Sequence, residues 1–322
     1  MDASTPRSPR VVRAARLIEH GAPLQVQAVP LAEPGDRDVV VEMVYAGVNP
    51  VDRYGATGTV AVGAPVPRTL GVEGVGRVGE RWVVLHGHGL GTARDGVWAE
   101  AAVAPRDACV DVPEGVSPEE AAAVGVAGAT AYRTVTEVAR VTADDRVLVL
   151  GASGGVGSMI VSLVASIGAR VWGQTGRAAK AAVVGRYAER AVVADAGSLA
   201  GAVVELRPTV VFDPLGGAFT GAAVEAMEPY GRFVLFGTSA GPDGTVPLRS
   251  LYRKGISLVG YAGLIEPEDA IRRGTEGALE AIRRRQMEVT VDAVLALDDV
   301  NESFRRLEHR EVSGKLLLAL GT

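Results

Sequence analysis

The sequence predicts an α/β protein in which a doubly wound parallel sheet is joined to a second, strand-rich module. Three features of the chain lead there. A short apolar run, Val147-Leu148-Val149-Leu150, meets a glycine cluster at 151–157 and passes directly into a helical stretch that ends at Gly168. From 146 to 261, apolar runs of strand length alternate with helical segments, the pattern of a parallel sheet covered on both faces. Before residue 117 the texture differs: short strand-like runs are punctuated by Pro and Gly, as in a partly antiparallel module.

Taken in order, residues 1–10 hold no apolar core and read as a flexible tail, not a signal peptide. Strand-like runs fill 11–44. The polar-studded segment from Tyr45 to Gly55 follows as a loop or short helix between strands, and loops on a rigid sheet are where chemistry tends to sit. Residues 70–76 and 82–85 read as strands with glycine bends, and a further strand ends near Val112-Pro113. Ser117-Pro118-Glu119-Glu120 is a capping-box helix start, and the chain is helical from there to Val141. The run at 147–150 is too short for a buried helix and reads as a buried strand. Apolar residues at 160, 161, 163, 164 and 167 then recur at helical spacing, with Gly168 suited to the helix end. Later strands are expected at 191–193, 210–212, 233–236 and 258–261. Two loops, Asp213-Pro214-Leu215-Gly216-Gly217 and Gly237-Thr238-Ser239-Ala240-Gly241, follow strands at their carboxyl ends, where open α/β sheets bind ligands. Beyond Gly263 a helix at 267–286, a strand at 291–295, a helix to His309 and a strand at 315–320 are expected to return to the first module. The expected division is a tail (1–10), a discontinuous first domain (11–121 and 263–322) and a nucleotide domain (122–262).

A chain of 322 residues is long enough for two domains with cores of their own. Its net charge of −5 argues against nucleic acid or an anionic membrane as main partner. The single cysteine, Cys109, rules out an intramolecular disulfide and a multi-cysteine zinc site, and a reducing, cytoplasmic setting is expected. Nowhere do about 18 consecutive apolar residues occur, so no membrane-spanning helix is expected.

Strand, glycine turn and helix together are the context a dinucleotide fingerprint requires. Ala152 stands where the first glycine would make the tight turn, Gly154 admits a pyrophosphate to the backbone, and Gly157 lets helix and strand lie close. With Ser153, Gly155 and Val156 these make an expected phosphate cradle at a helix N-terminus, whose N–H groups and dipole suit anions. About 20 positions on, an NAD site needs an acidic residue for the ribose hydroxyl. Gly173-Gln174-Thr175-Gly176-Arg177-Ala178-Ala179-Lys180 contains none. Thr175, Arg177 and Lys180 are the expected contacts there, the two cations standing where a 2′-phosphate would lie, which favours NADPH. The competing reading is that they only solvate the start of a surface helix.

Asn49-Pro50-Val51-Asp52 with Tyr54, Gly71-Val72-Glu73-Gly74, Gly128-Ala129-Thr130-Ala131-Tyr132, the cluster 151–157, Asp213-Pro214-Leu215-Gly216-Gly217 and Ser313-Gly314-Lys315 stand in one order and spacing. In that order the chain resembles the medium-chain dehydrogenase/reductase superfamily over nearly its whole length. Within it the chain is most similar to the zinc-independent quinone oxidoreductase branch, the zeta-crystallin-like reductases. The resemblance implies a Rossmann domain for NADPH and a GroES-like catalytic domain. It also implies that Asn49, Asp52 and Tyr54 line the substrate side, with Tyr54 as proton donor or oxyanion partner. Thr130 would contact the nicotinamide carboxamide, Lys315 the ribose or phosphate region, and Asp213, Leu215, Phe236 and Gly237 the dinucleotide. For Asn49 and Asp52 the competing role is loop stapling by side-chain hydrogen bonds, and for Tyr54 it is packing, with solvent supplying the proton.

Zinc branches of the family carry a Cys in the first loop and Gly-His-Glu at the second, whereas here the first loop has no Cys and Val72 stands at the His position. His86 and His88, flanking Gly87, read as two loop histidines without a third ligand. Without a Lewis acid, plain ketone chemistry loses its electrophile. A conjugated acceptor needs less, because the charge spreads into an enolate or phenolate that hydrogen bonds can hold. Between Gly76 and Trp82 the chain is shorter than the family usually is, so relatives do not define the cavity there. The expected activity is NADPH-dependent, zinc-independent reduction of quinones or α,β-unsaturated carbonyls, by a homodimer whose edge strand near 256–261 pairs with its twin. Two other readings stand beside it: a dedicated enoyl reductase of a biosynthetic, for example polyketide-type, intermediate, and an NADPH-binding structural or sensor protein without turnover.

Overall fold

A computed structural model of the chain describes residues 10–59 and 65–321; apart from Arg10, the expected tail lies outside them. Two compact units divide it, one within 1–126, 293–311 and 316–322, the other within 127–292 and 312–315. Among the described residues no helix is long and apolar enough to cross a membrane.

The first unit opens with strands β1 (Val11–Leu17), β2 (Gln25–Pro30), β3 (Asp38–Val48), β4 (Arg68–Thr69), β5 (Glu73–Val78), β6 (Arg81–His86), β7 (Ala101–Pro105) and β8 (Cys109–Asp111). Helix α1 (Pro50–Thr57) lies between β3 and β4, and α2 (Pro118–Ala121) follows β8. β2, β1 and β4 form a small sheet in that order. The segment between Gly76 and Trp82 is a tight hairpin: Val78 pairs with Arg81, and Gly79 takes the turn at φ +61. The expected capping box starts α2, with Glu120 N–H donating to Ser117 Oγ at 3.2 Å and Ser117 N–H to Glu120 Oε2 at 2.8 Å.

The second unit holds α3 (Ala129–Arg133), β9 (Arg146–Val149), α4 (Gly155–Ile167), β10 (Arg170–Thr175), α5 (Ala181–Val184), β11 (Arg190–Val193), α6 (Ala196–Ala202), β12 (Val210–Asp213), α7 (Gly217–Ala226), β13 (Arg232–Leu235), α8 (Leu248–Lys254), β14 (Ser257–Gly260) and α9 (Glu268–Arg283). Its sheet is parallel in the order β11-β10-β9-β12-β13-β14. The strand order reverses between β9 and β12, the place where doubly wound sheets take a dinucleotide. Leu148, Phe212 and Phe233 are completely buried in its core.

Residues 263–292 were expected with the first module, but they belong to the second unit, because α9 docks on α3. Glycines permit the approach: a Cβ at Gly277 would lie 2.2 Å from Tyr132 Cε1, and one at Gly274 2.8 Å from Arg133 Cδ. The return to the first unit comes later, with β15 (Val291–Ala296), α10 (Val300–Glu308) and β16 (Lys315–Ala319). β16 pairs antiparallel with β3, Leu317 opposite Gly47, which completes a sheet ordered β15-β16-β3-β5-β6-β8 with β7 also on β3.

Candidate functional site

In the second unit the chain leaves β9 through a turn whose left-handed residue is Gly151, at φ +57. The tight turn expected at Ala152 is therefore made one residue earlier, by a side chain that lacks the Cβ such a conformation disfavours. Ala152 is fully buried, and its N–H donates to the Gln174 carbonyl at 2.8 Å. Gly154 precedes the first turn of α4 and donates its N–H to the Gly151 carbonyl at 2.9 Å. Gly155, Val156 and Gly157 begin the helix, so their N–H groups have no acceptor within it. A Cβ at Gly157 would lie 2.5 Å from Gly151 O, whereas at Gly154 the nearest atom is 3.4 Å away. Below, the turn is packed tight; at Gly154 there is room for an incoming phosphate.

Sequence reasoning passed over Gln174, which nothing in its local pattern distinguishes. It is 1% exposed, its Oε1 accepts the Gly151 N–H at 3.0 Å, and its Nε2 donates to the Ala194 carbonyl at 2.6 Å. That amide ties the glycine turn to the end of β11. Beside it the Thr175 and Ser153 hydroxyls share a hydrogen bond of 3.3 Å. Arg177 is exposed at the start of the turn Ala178–Lys180. Lys180 is half-buried, and its ammonium donates to the Val312 carbonyl at 2.5 Å. Burial, then the Arg177 charge, holds the Lys180 pKa below the ordinary lysine value, against the pull of Asp292. The two cations stand near each other, Arg177 exposed and Lys180 fastening the 312–315 segment. Replacing Lys180 with Met is expected to lower the thermal midpoint by a few degrees, from one charged hydrogen bond lost. NADPH affinity, followed by fluorescence titration, should change less than about threefold if Lys180 is a fastener and not a phosphate ligand.

The fastened segment reaches the glycine turn itself. Gly314 N–H donates to the Ser153 carbonyl at 2.8 Å, Lys315 N–H to the Thr290 carbonyl at 2.8 Å, and Ser313 N–H to Asp292 Oδ1 at 2.9 Å. Lys315 is 3% exposed, and its methylenes lie over the first turn of α4, where a Cβ at Gly155 would be 2.8 Å from Lys315 Cδ. Asp213 is completely buried; Oδ1 accepts the Leu215 and Gly216 N–H groups at 2.7 and 2.9 Å, and Oδ2 accepts the Thr220 hydroxyl at 2.7 Å. Burial pushes its pKa up, and these hydrogen bonds oppose the shift. Such a carboxylate shapes its loop. The loop sets Leu215 and Pro214 3.2 Å from a Cβ built at Gly151. Phe236 N–H donates to the Asp213 carbonyl at 3.0 Å, and Gly237 lies so close that its Cβ would be 2.7 Å from Pro214 O. Thr130, half-buried on α3, has its Oγ1 3.9 Å from a Cβ built at Gly263.

In the first unit, Asn49 and Asp52 are each 3% exposed at the start of α1. Asp52 Oδ2 accepts the Asn49 N–H at 2.8 Å, and its Oδ1 accepts the Val72 N–H at 3.1 Å. Asn49 Nδ2 donates to Glu73 Oε1 at 2.7 Å, and Val126 N–H donates to Glu73 Oε2 at 2.7 Å. Glu73 is completely buried. These groups form a stapled network joining α1, β5 and residue 126, in which Asp52 and Glu73 mainly hold backbone. Tyr54, one turn into α1, is half-buried with the Arg53 guanidinium 5.7 Å from its ring centroid. Its hydroxyl makes no hydrogen bond to the described residues.

Zinc does not fit the positions where the zinc branches hold it. Val72 offers no donor, the neighbouring carboxylates are committed to N–H groups, and among the described residues no three His, Cys, Asp or Glu are grouped to hold a metal ion.

A family model described as zinc-binding dehydrogenase matches residues 155–273. The matched segment contains neither His nor Cys, so that name brings no zinc ligand with it. Quinone oxidoreductase-like protein 2 of Mus musculus is 29% identical over 325 residues, covering 97% of this chain and 93% of that protein. Acryloyl-coenzyme A reductase of Metallosphaera sedula is 30% identical over 226 residues, covering 70% of this chain and 65% of the relative. Among solved structures, the quinone oxidoreductase of Thermus thermophilus, studied also as its complex with NADPH, superimposes with a TM-score of 0.83 at 26% identity, over 96% of this chain and 100% of that one.

Proposed function

We propose, from the premise that this chain belongs to the medium-chain dehydrogenase/reductase superfamily and is one of its oxidoreductases, that it reduces quinones or α,β-unsaturated carbonyls with hydride from NADPH. The observation that carries the reading is the glycine turn at the N-terminus of α4, with Arg177 exposed after β10, in a chain that has Val72 where the zinc branches have histidine. NADPH, when bound, supplies the hydride. Residues 153–157 would hold the pyrophosphate, Arg177 the 2′-phosphate, Lys315 the ribose or phosphate region, and Thr130 the carboxamide. Ala152, Thr175, Lys180 and Asp213 would act by holding turns in place, with Leu215, Phe236 and Gly237 beside them. Asn49 and Asp52 would fix the substrate-side loop, and the Tyr54 hydroxyl would donate a proton or a hydrogen bond to the developing oxyanion, with solvent as the other proton source. A conjugated acceptor suits such a set because its charge is dispersed and needs no Lewis acid.

The names of the relatives support both a quinone reductase and an enoyl thioester reductase. A panel of small quinones, enones and short enoyl thioesters offered with NADPH separates the readings. Turnover of several quinones or enones is expected. Turnover of thioesters alone would identify a dedicated enoyl reductase, and NADPH binding with no acceptor reduced would indicate a sensor or structural role.

The partner proposed besides the substrate is a second copy of the chain. β14 ends the six-stranded sheet with Leu258 37% and Val259 42% exposed, and Tyr252, Leu264 and Ile265 are exposed nearby. An open, apolar edge of this kind invites pairing. Light scattering at micromolar concentration is expected to give twice the chain mass, and Val259→Lys to give a monomer; a monomeric wild type would dismiss the pairing.

A further inference from the structure

Resting on the reading just proposed, we infer that Arg133 is a positioning residue for NADPH: it pins the turn after β14 to α3, within the second unit, and so fixes the wall that receives the nicotinamide end. In a doubly wound sheet the pyrophosphate lies at the switch point, with one mononucleotide half to either side of it. β10 and Arg177 take the 2′-phosphate side, so the nicotinamide half is directed to the carboxyl ends of β12, β13 and β14. Tyr261 directly follows β14 at that end, its N–H donating to the Leu235 carbonyl at 2.8 Å. The chain then makes one helical turn, Gly263–Ile265, and passes through Glu266 into α9. This turn lies against α3: a Cβ built at Gly263 would be 3.9 Å from Thr130 Oγ1 and 3.7 Å from the Tyr261 hydroxyl.

Arg133, buried on the same helix as Thr130, holds both ends of the turn. Its Nη1 donates to Glu266 Oε2 at 2.6 Å, and its guanidinium lies 5.7 Å from the centroid of the Tyr261 ring. Its Nε donates to Glu137 Oε2 at 3.0 Å. α9 closes over its methylenes at Gly274, where a Cβ would be 2.8 Å from Arg133 Cδ. The two ion pairs differ in reach. Glu137 is four residues away in the same helical stretch, so that pair is local, whereas the pair with Glu266 spans 133 residues and carries the turn. Cutting the long pair should loosen the turn beside Thr130; cutting the local one should not. A wall already ordered spares NADPH the cost of ordering it, which is how such a pair would act on affinity.

Titration calorimetry on the full chain, with no acceptor present, tests the assignment with two ligands: NADPH, and adenosine 2′,5′-bisphosphate, which keeps the 2′-phosphate end and lacks the nicotinamide. Glu266→Gln is expected to weaken NADPH about 5- to 10-fold and to leave the bisphosphate within about twofold. Glu137→Gln removes the other partner of the same guanidinium and is expected to leave both ligands within about twofold. A merely structural ion pair would not separate the two ligands. Equal weakening of both in Glu266→Gln, undiminished NADPH binding in that variant, or the same loss of NADPH in Glu137→Gln would overturn the role of Arg133 alone. A wild-type protein that binds no NADPH would overturn the parent reading and this inference together.

Discussion

Changing Arg177 to glutamate is expected to raise the dissociation constant for NADPH by about 10- to 100-fold while leaving that for NADH within about threefold. The expectation rests on the end of β10, where Arg177 is exposed and no carboxylate follows that could take a ribose hydroxyl. A guanidinium that meets a phosphate makes charge-assisted hydrogen bonds, and reversing its sign replaces them with repulsion. Lys180 cannot fully compensate, because its ammonium is engaged with the Val312 carbonyl and burial disfavours its charge. The loss should shrink as salt rises, since the site is exposed. Fluorescence titration with both nucleotides decides the matter: parallel losses for NADPH and NADH would mean that Arg177 supports the turn and does not read the phosphate.

Gly314→Ala is expected to be the most damaging small substitution in the second unit. Gly314 sits at φ +101, and a Cβ there would lie 2.2 Å from the Thr290 carbonyl oxygen. Neither backbone can yield cheaply, because Lys315 N–H holds that carbonyl at 2.8 Å and Gly314 N–H holds the Ser153 carbonyl at 2.8 Å. Overpacking and an unfavourable φ together should lower the thermal midpoint by about 5–10 °C. Strain at Ser153 should weaken NADPH binding as well. Gly79→Ala is the control, with φ +61 but nothing within 4 Å of the added carbon, and it should cost only about 1–2 kcal/mol. Equal melting of the two variants would show that the 312–315 segment does not brace the nucleotide turn.

Much of this architecture could be read from local pattern. The step from β9 through glycines into α4, the capping box at Ser117 and the alternation that builds the parallel sheet each declare themselves within a few residues. What escaped reading depends on partners distant along the chain. Counting back from Gly154 and Gly157 put the tight turn at Ala152, whereas the left-handed residue is Gly151, one position earlier, which the glycine spacing alone does not reveal. Asp52, Glu73 and Asp213 are visible as carboxylates, but their tasks follow from the backbone N–H groups of residues 72, 126, 215 and 216 that they hold. Gln174 acquires meaning only through Gly151 and Ala194. The apolar face of α9 marks it as a helix, but which unit that face packs on depends on the close approach of Gly274 and Gly277 to Arg133 and Tyr132 on α3, distant along the chain. His86 read as a loop residue until strand register set it opposite Glu73.

The central claim is reduction of a conjugated acceptor by a phosphorylated dinucleotide without help from a metal ion. Its most direct test is the rate of NADPH oxidation by a small enone or quinone, measured on chelator-treated protein, again after added zinc, and with NADH in place of NADPH. Equal turnover with and without zinc, and a clear preference for NADPH, is the expected result. Turnover that appears only with zinc, or that is faster with NADH, would contradict it.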